Sequence, residues 1–326
     1  MKKISVIIPI YNGGEYIKKC VDSVLNQKHF DIQSFEILLL NDGSKDNSEK
    51  IITAYAKRHS SIIRAISHKN MGVAKTRDKG IGQAKGEYII FIDQDDYIDP
   101  DYCKRLLAAV ERGDYDIAIC GFRRPGTGLR IINKNIKLKN TEYAKYICTG
   151  VFAKIHKASF LREKNIKSFH TTYGEDIGFV LHEYARTNKV TIIENYAGYN
   201  WFYNKTSVSN TAHKELLVVL PVLIKMLDKI KHYDTQTAEY EYYILQTIVA
   251  YLLWSGRLAN RKDFKIAYNK VFDWVYTNYP HINHNKYVYI GPGGSPKLTR
   301  TSISIFMILH KLKLISLFSL IYCKGK

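Results

Sequence analysis

The sequence predicts an α/β fold: a mostly parallel sheet flanked by helices, followed by a C-terminal α-helical region. Three observations carry this reading. Short apolar, β-branched runs alternate with helical periodicity over roughly the first 120 residues. Those runs end in polar turns at Tyr11-Asn12, Asn41-Asp42 and Asp93-Gln94-Asp95-Asp96. From Lys214 onward the pattern becomes helical.

Ile4-Ser5-Val6-Ile7-Ile8-Pro9-Ile10 is nearly continuous in apolar side chains, as a strand buried on both faces requires. Tyr11-Asn12-Gly13-Gly14 breaks it, and Tyr16, Ile17, Cys20, Val21, Val24 and Leu25 then recur at helical spacing. Residues 35–40 form a second strand, ended by Asn41-Asp42-Gly43-Ser44. Asp46 is placed to cap the helix that carries Ile51, Ile52, Ala54 and Tyr55. Residues 62–66 are a third strand, followed by a helix over residues 74–84. Residues 87–92 and 116–120 make the fourth and fifth strands. Such alternation implies parallel strands joined by helical crossovers, and ligands of these sheets bind beyond the C-terminal strand ends. The three polar turns are expected to meet on that edge.

The fourth strand runs straight into three carboxylates within four residues, Asp93, Asp95 and Asp96. Carboxylates this close repel one another unless a cation neutralises them. Hard divalent ions such as Mg²⁺ and Mn²⁺ prefer such oxygens and also bridge phosphates. Taken alone, the stretch equally fits a solvated acidic turn leading into the helix near Pro100. Convergence of three polar turns on one crevice favours the metal and phosphate reading.

The chain has 326 residues, 46% of them hydrophobic, and a formal net charge of +19. This allows one large domain or two smaller ones and calls for an acidic partner. No Asp or Glu follows Asp273, yet Lys286, Lys297, Arg300, Lys311, Lys313, Lys324 and Lys326 do. The cysteines (Cys20, Cys103, Cys120, Cys148, Cys323) are dispersed, without a CxxC pair, and read as reduced thiols of a cytosolic protein. The apolar run after Met1-Lys2-Lys3 is too short for a signal peptide.

Six ordered segments resemble family 2 glycosyltransferases of the Rossmann-like GT-A fold. They are Val6-Ile7-Ile8-Pro9-Ile10-Tyr11-Asn12, Ser23-Val24-Leu25-Asn26-Gln27, Asn41-Asp42-Gly43-Ser44-Lys45-Asp46, the stretch 70–80, Lys85-Gly86-Glu87-Tyr88, and Asp93-Gln94-Asp95-Asp96 with Pro100-Asp101. A weaker likeness continues to about Ser209 through Lys154-Ile155-His156-Lys157 and Gly174-Glu175-Asp176. The resemblance implies a nucleotide-sugar donor, usually UDP-linked, and transfer with inversion at the anomeric carbon. It sets Pro9 and Tyr11 along the nucleobase and matches Asp42 with a carboxylate that accepts a hydrogen bond from uracil. Asn70 and Arg77 match positions near the base and diphosphate, and Asp93 and Gln94 the ribose and metal region. Asp95 matches the metal-ligating aspartate of the DxD motif, with Asp93 beside it. Asn41 and Asp78 depart from the family, which often has Asp and Asn there. The stretch 199–209 lacks the Arg or His that commonly reaches the diphosphate, leaving Lys205 as its cation.

Inverting transfer is a single displacement, so it needs a cation at the leaving diphosphate and a base on the opposite face of the sugar. Gly174-Glu175-Asp176 opens an amphipathic helix carrying Phe179, Val180, Leu181 and Tyr184, and the helix dipole is expected to keep both acids ionised. From the residues alone the favoured reading is first-turn acids that merely stabilise the helix. The family's Glu-Asp motif matches them, which implies Asp176 as the base and Glu175 as its partner or an acceptor contact. Lys154-Ile155-His156-Lys157 is expected to open a helix packed on the sheet. His170, His182 and His213 read as ordinary histidines, while Trp201, Phe202 and Tyr203 fit either an acceptor platform or core packing.

In the C-terminal third, Leu216, Leu217, Leu220, Leu223, Ile224 and Leu227 define one helix, with a kink or break at Pro221. Two more follow over residues 240–254 and 264–276, then a loop through Pro280 and Gly291-Pro292-Gly293-Gly294. The last segment, residues 303–323, is apolar but interrupted by His310-Lys311-Leu312-Lys313, which excludes a spanning helix. An interfacial basic helix on anionic lipid is expected, with packing on the protein's own helices or a subunit contact as alternatives. A run so rich in Ile, Leu and Phe is unlike a nucleic-acid arm.

The expected protein is thus a metal-dependent (Mn²⁺ or Mg²⁺) inverting glycosyltransferase of hexosyl or N-acetylhexosaminyl type. Residues 1–213 form its transferase domain, with 1–120 binding the nucleotide-sugar and 121–213 supplying the acceptor side and base; residues 214–326 form the helical region. A UDP-sugar donor, a saccharide or lipid-linked saccharide acceptor of bacterial surface-polysaccharide type, and a peripheral place on the cytoplasmic membrane face complete the expectation. Two rivals are a sugar-1-phosphate nucleotidyltransferase and a non-catalytic nucleotide-sugar-binding scaffold. The first wants a cationic Gly-rich loop after strand one, where Tyr11-Asn12-Gly13-Gly14-Glu15 has no cation; Asp93, Asp95 and Asp176 oppose the second.

Overall fold

The computed structural model describes residues 2–28, 31–124, 134–171, 174–202, 216–230 and 237–325. The chain forms two compact units, one from residues 1–140, 148–170 and 175–204, the other from 141–147, 171–174 and 205–326. The division expected at 213/214 lies outside the described residues.

In the first unit, the described strands are β1 (Ile4–Ile10), β2 (Phe35–Asp42), β3 (Ile63–His68), β4 (Tyr88–Phe91), β5 (Tyr97–Ile98), β6 (Ile117–Arg124), β7 (Lys134–Ile136), β8 (Lys154–Lys157) and β9 (Val190–Asn200). They form one sheet of order β3-β2-β1-β4-β8-β6-β9-β5, with β7 paired to β6. Its helices are α1 (Ile17–Leu25), α2 (Ser48–Arg58), α3 (Val73–Gln83), α4 (Tyr102–Glu111), α5 (Ala158–Glu163) and α6 (Glu175–Tyr184).

Strands β3, β2, β1 and β4 are parallel neighbours. Every residue of β1, β2 and β4 is buried, which is why these runs carry apolar side chains at consecutive positions. Burying each such Val, Leu or Ile stabilises the fold by roughly 1.5–3 kcal/mol. Helix α3 packs tightly against this layer at Gly80, where a Cβ would lie 2.6 Å from Ile7 Cγ2. The parallel character ends at β4. Strand β8 is antiparallel to both β4 and β6, β9 is parallel to β6, and β5 is antiparallel to β9.

Lys154-Ile155-His156-Lys157 is therefore a strand, and the expected helix begins only at Ala158. The tetrapeptide fills the gap between two strand edges, pairing Ile89 with His156 and Ala118 with Ile155. Satisfying both rows of backbone groups outweighs the local helical pattern. Asp46 is not the residue at the cap position of α2, which is Asn47, but its carboxylate accepts the Ser48 N–H at 3.0 Å.

The second unit contains α7 (Leu216–Ile230), α8 (Ala238–Gly256), α9 (Arg261–Asn278), α10 (Lys297–Lys311) and α11 (Ile315–Tyr322). Thr237 and Asn260 cap α8 and α9 through side-chain oxygens. Pro221 lies inside α7, which runs through it without the expected break. The last segment is two helices, split at Leu312-Lys313-Leu314. Its Ile303, Phe306, Met307 and Ile315 are buried in the helical unit, so it packs on the protein's own helices along one face. No helix among the described residues is long and apolar enough to cross a membrane.

Candidate donor and catalytic site

The parallel strand ends line up because the register does. Ile10 pairs with Asn41 and Ile7 with Phe91, so the turns after β1, β2 and β4 leave the sheet at one edge. Strand order reverses at β1, and the crevice of such a sheet lies at that reversal. Backbone and side chains knit the three turns together there. Gln94 makes a two-way contact with Tyr11: the Tyr11 N–H donates to Gln94 Oε1 at 2.9 Å, and Gln94 Nε2 donates to the Tyr11 carbonyl at 3.0 Å. Asn12 takes φ of 48°, donates its N–H to Ser44 Oγ at 3.0 Å, and accepts the Lys45 N–H at 2.8 Å. Tyr11 itself is exposed, while Pro9 is buried within β1.

Asp42 faces inward rather than into open solvent. Its carboxylate accepts the N–H groups of Met71 (2.7 Å) and Gly72 (2.9 Å), and Asn70 Nδ2 donates to the Asp42 carbonyl at 3.0 Å. Gly72 takes φ of 87° to present its N–H, a conformation that suits glycine. Asp42 and Asn70 thus build one loop. The two departures from the family pattern are also engaged: Asn41 contacts Glu49 and accepts the Ser44 N–H at 3.0 Å, and Asp78 accepts from Ser168 N and His170 Nε2, each at 2.9 Å.

The acidic cluster separates into different roles. Asp96 is buried, and both its oxygens are taken, by Tyr199 Oη at 2.5 Å and Phe202 N at 2.7 Å. Burial, with the charges of Asp93 and Asp95, holds its carboxyl well above the usual range. It anchors the turn to β9, and the short β5–β9 pairing at Tyr97–Asn200 continues the anchor. Asp93 instead turns toward α3, where Arg77 Nη2 donates to its Oδ1 at 2.8 Å.

Arg77 is the hinge of the geometry. Ala74, Arg77, Gly80 and Ile81 share the sheet-facing stripe of α3, so this arginine is driven inward and its side chain is only 4% exposed. Its second terminal nitrogen, Nη1, donates to Asp176 Oδ1 in the first turn of α6. One planar guanidinium therefore joins a carboxylate of the β4 turn to the carboxylate 83 residues later, which no local sequence pattern reveals. Burial opposes its charge, but Asp176 and Asp93 more than offset that and raise its pKa. Arg77 Nε is buried with no hydrogen-bond partner among the described residues.

The helix dipole does not leave Glu175 and Asp176 in the ordinary carboxylate range. Burial pushes Glu175 up to about 7, with Asp176 adding to the shift. Burial also raises Asp176, against the pull of Arg77. Desolvation near a helix start outweighs a dipole effect of about 1 kcal/mol, and Arg77 is the main counterweight.

One buried group escaped the sequence reading. Glu183, two turns beyond Asp176 on α6, accepts from Lys154 Nζ at 2.7 Å and meets His156 Nε2 at 2.9 Å. A glutamate on the same face as Phe179, Val180 and Tyr184 was the available signal. Trp201 lies against Phe122 and Phe152, with the Arg124 guanidinium 3.4 Å from its ring centroid. His182 is buried beside Phe169. Asp95 is half-buried beside Asp96. Lys205, Tyr203 and His213 lie outside the described residues. Among the described residues, no group of three or more His, Cys, Asp or Glu side chains gathers around one point as a metal cage.

Residues 5–169 match the family model described as glycosyl transferase family 2. The uncharacterized glycosyltransferase EpsJ of Bacillus subtilis is 41% identical over 127 residues, 39% of this chain and 36% of that protein. The poly(ribitol-phosphate) beta-N-acetylglucosaminyltransferase TarS of Staphylococcus aureus is 25% identical over 203 residues, 61% of this chain and 35% of that protein. The crystal structure of TarS 1–349 in complex with UDP-GlcNAc matches with a TM-score of 0.64 at 19% identity, covering 87% of this chain and 93% of that one. The mannosyltransferase PcManGT of Pyrobaculum calidifontis, in complex with GDP-Man and Mn²⁺, matches with a TM-score of 0.57 at 13% identity, covering 96% and 87%. These structural likenesses concern the fold. The match spans about a third of the length of the first curated relatives, 36% and 33% of the two Bacillus subtilis proteins. A family match over half of the chain, on a sheet whose turns after β1, β2 and β4 leave at one edge, places this protein in glycosyl transferase family 2.

Proposed function

We propose that the protein transfers a sugar from a UDP-sugar to a hydroxyl of a saccharide acceptor, with inversion at the anomeric carbon. The observation that carries this reading is the Arg77 bridge between Asp93 and Asp176, which ties the donor end of the crevice to a carboxylate suited to be a base. Pro9, Tyr11 and the loop built by Asp42 and Asn70 form the nucleobase side. Gln94 holds Tyr11 in place there. Arg77 faces the diphosphate, and its unpartnered Nε is a buried donor of the kind an anionic oxygen satisfies. Lys205 is assigned to the same diphosphate from the sequence alone.

The donor set at the end of β4 suits a hard divalent cation. Asp96 is committed to Tyr199 and Phe202, which leaves Asp95 and Asp93 as the carboxylates for Mn²⁺ or Mg²⁺. Such ions are often held by one or two carboxylates together with substrate phosphates. When bound, the ion supplies charge stabilisation for the leaving diphosphate.

Asp176 is the base. Arg77 engages its Oδ1, so the proton of the acceptor hydroxyl passes to Oδ2. As it does, the acceptor oxygen bonds to the anomeric carbon, the bond to the diphosphate oxygen breaks, and UDP departs. Glu175 lies beside the base and contacts the acceptor. The buried ion group of Lys154, His156 and Glu183 pins α6 to β8 and so positions Asp176.

The acceptor is a lipid-linked saccharide of a bacterial surface polysaccharide, met at the cytoplasmic membrane face. The basic, acid-free end of the chain and the poly(ribitol-phosphate) acceptor named for TarS support this. The test is nucleotide release from a panel of UDP-, GDP- and other nucleotide-sugars, with a membrane lipid extract as acceptor. Release confined to UDP-sugars, dependent on added Mn²⁺ or Mg²⁺ and lost in Asp95→Asn, is expected. Metal-independent release that survives Asp95→Asn would overturn the assignment.

A further inference from the structure

The helical unit holds a cavity of about 460 Å³ whose polar lining includes Tyr268, Tyr276, Tyr289, His310, Lys311 and Lys313. Tyr268, Phe272 and Tyr276 recur every fourth residue along one stripe of α9 and meet His310 of α10. The imidazole stacks on the Phe272 ring at 4.2 Å between centroids. Tyr268 Oη lies 2.6 Å from its Nδ1 and Tyr276 Oη 2.5 Å from its Nε2. Burial lowers the His310 pKa, so the ring is neutral, with one N–H and one bare nitrogen. It accepts from one tyrosine and donates to the other, and Tyr276 Oη also lies 3.5 Å from Oδ1 of Asn283, a further polar residue of the lining.

The rim is cationic. Lys311 Nζ lies 5.2 Å from the Tyr289 ring centroid. Lys313 follows Leu312, the residue that caps the C-terminus of α10, and takes φ of 58°. Its N–H donates to the His310 carbonyl at 3.0 Å, and Leu314 N–H donates to the Leu309 carbonyl at 2.8 Å. This double bond pattern normally employs glycine, because a side chain in the left-handed region carries a backbone cost. The turn keeps a lysine at the cavity despite that cost. Ser316, in the uncapped first turn of α11, also lines the cavity, adding backbone N–H donors. Leu312, Leu314, Leu317, Leu320 and Ile321 are exposed along the same turn and helix.

We infer that this cavity binds the phosphate headgroup of an anionic membrane lipid, through Lys311, Lys313 and the tyrosine–histidine cluster. The exposed leucines then meet the acyl boundary, as in interfacial helices. Charge complementarity selects this occupant: no acid follows Asp273, and a lipid phosphate supplies both the acceptor oxygens and the apolar neighbour. The inference rests on the membrane-face reading above and is independent of the transfer chemistry.

Co-sedimentation of the full chain with phosphatidylcholine vesicles, with and without phosphatidylglycerol, tests it. The full chain is expected to bind only the anionic vesicles. Lys313→Gly, which relieves the left-handed backbone and so preserves the turn, weakens binding about fivefold, and Lys311→Glu with Lys313→Glu more than about twentyfold. Lys270→Glu with Lys297→Glu, an equal charge change away from the cavity, costs less than about twofold. An equal loss from that remote pair overturns the cavity as a site while leaving the membrane reading intact. A chain that ignores anionic vesicles overturns the membrane reading, and with it the lipid as occupant even where inorganic phosphate still protects Lys311 and Lys313 from chemical modification.

Discussion

Replacing Glu183 by Gln removes one charge from a group of three side chains that are all 0% exposed, while keeping the shape of the site. Lys154 then holds a buried ammonium without its counter-ion. Breaking a buried pair in this way costs about 3–5 kcal/mol. For a unit of this size that lowers the Tm by roughly 6–20 °C. The paired replacement Lys154→Met with Glu183→Leu removes both charges and is expected to recover most of the loss, because apolar side chains of similar volume replace buried ion pairs well. Acid separates the variants further. Burial pushes the Glu183 carboxyl up, but Lys154 and His156 overcome it and leave its pKa below the ordinary 4.5. A depressed carboxylate contributes stability above its unfolded pKa and loses it as pH falls through the folded value. The native chain therefore weakens below about pH 4.5 on this account, and the paired variant lacks that contribution. Urea unfolding followed by circular dichroism, at neutral and acid pH, reads both effects. A Glu183→Gln protein within about 1 kcal/mol of the parent, or a paired variant no more stable than the single one, would show that Glu183 is not the counter-ion of a buried Lys154 charge.

Arg77→Lys keeps a charge but cannot hold two carboxylates in one planar fork; steady-state kinetics should show turnover falling about 30–100-fold, and a change under threefold would contradict the bridge. Glu175→Gln should stabilise the protein near pH 8 by about 1–3 kcal/mol, because the raised carboxyl contributes stability fully below about 4.5 and loses it as pH rises through about 7. Thermal melts near pH 5 and pH 8 check this, since the gain disappears at the lower pH. With Asp176 raised above its ordinary value, kcat/KM should fall on acidification at a higher pH than a solvent-exposed aspartate would give, as protonation removes the base.

The strands that carry the donor turns were legible because each is buried on both faces, and such runs have no room for polar residues. The convergence of Tyr11, Asn41 and Asp93 followed from parallel alternation alone. Other features depended on partners distant in sequence. Strand β8 exists because two strand edges needed a pair, not because Lys154-Ile155-His156-Lys157 favours one. The Arg77 bridge needed α3 and α6 placed together, although Arg77 on the apolar stripe of α3 was a readable hint. The dipole argument for Glu175 and Asp176 left out desolvation, which raises both carboxyls and depends on packing that first-turn position does not encode. The hold of the Asp42 carboxylate on the Met71 and Gly72 N–H groups likewise depends on a loop some thirty residues away, which the Asn41-Asp42 turn does not encode.

If Arg77 couples a donor crevice to a base at Asp176, donor binding and sugar transfer part company in the Asp176→Asn protein. Calorimetry should give a UDP-sugar affinity within about threefold of the parent, while transfer falls by about 10²–10⁴-fold. Transfer within about tenfold of the parent, with the donor still bound, would rule out Asp176 as the base.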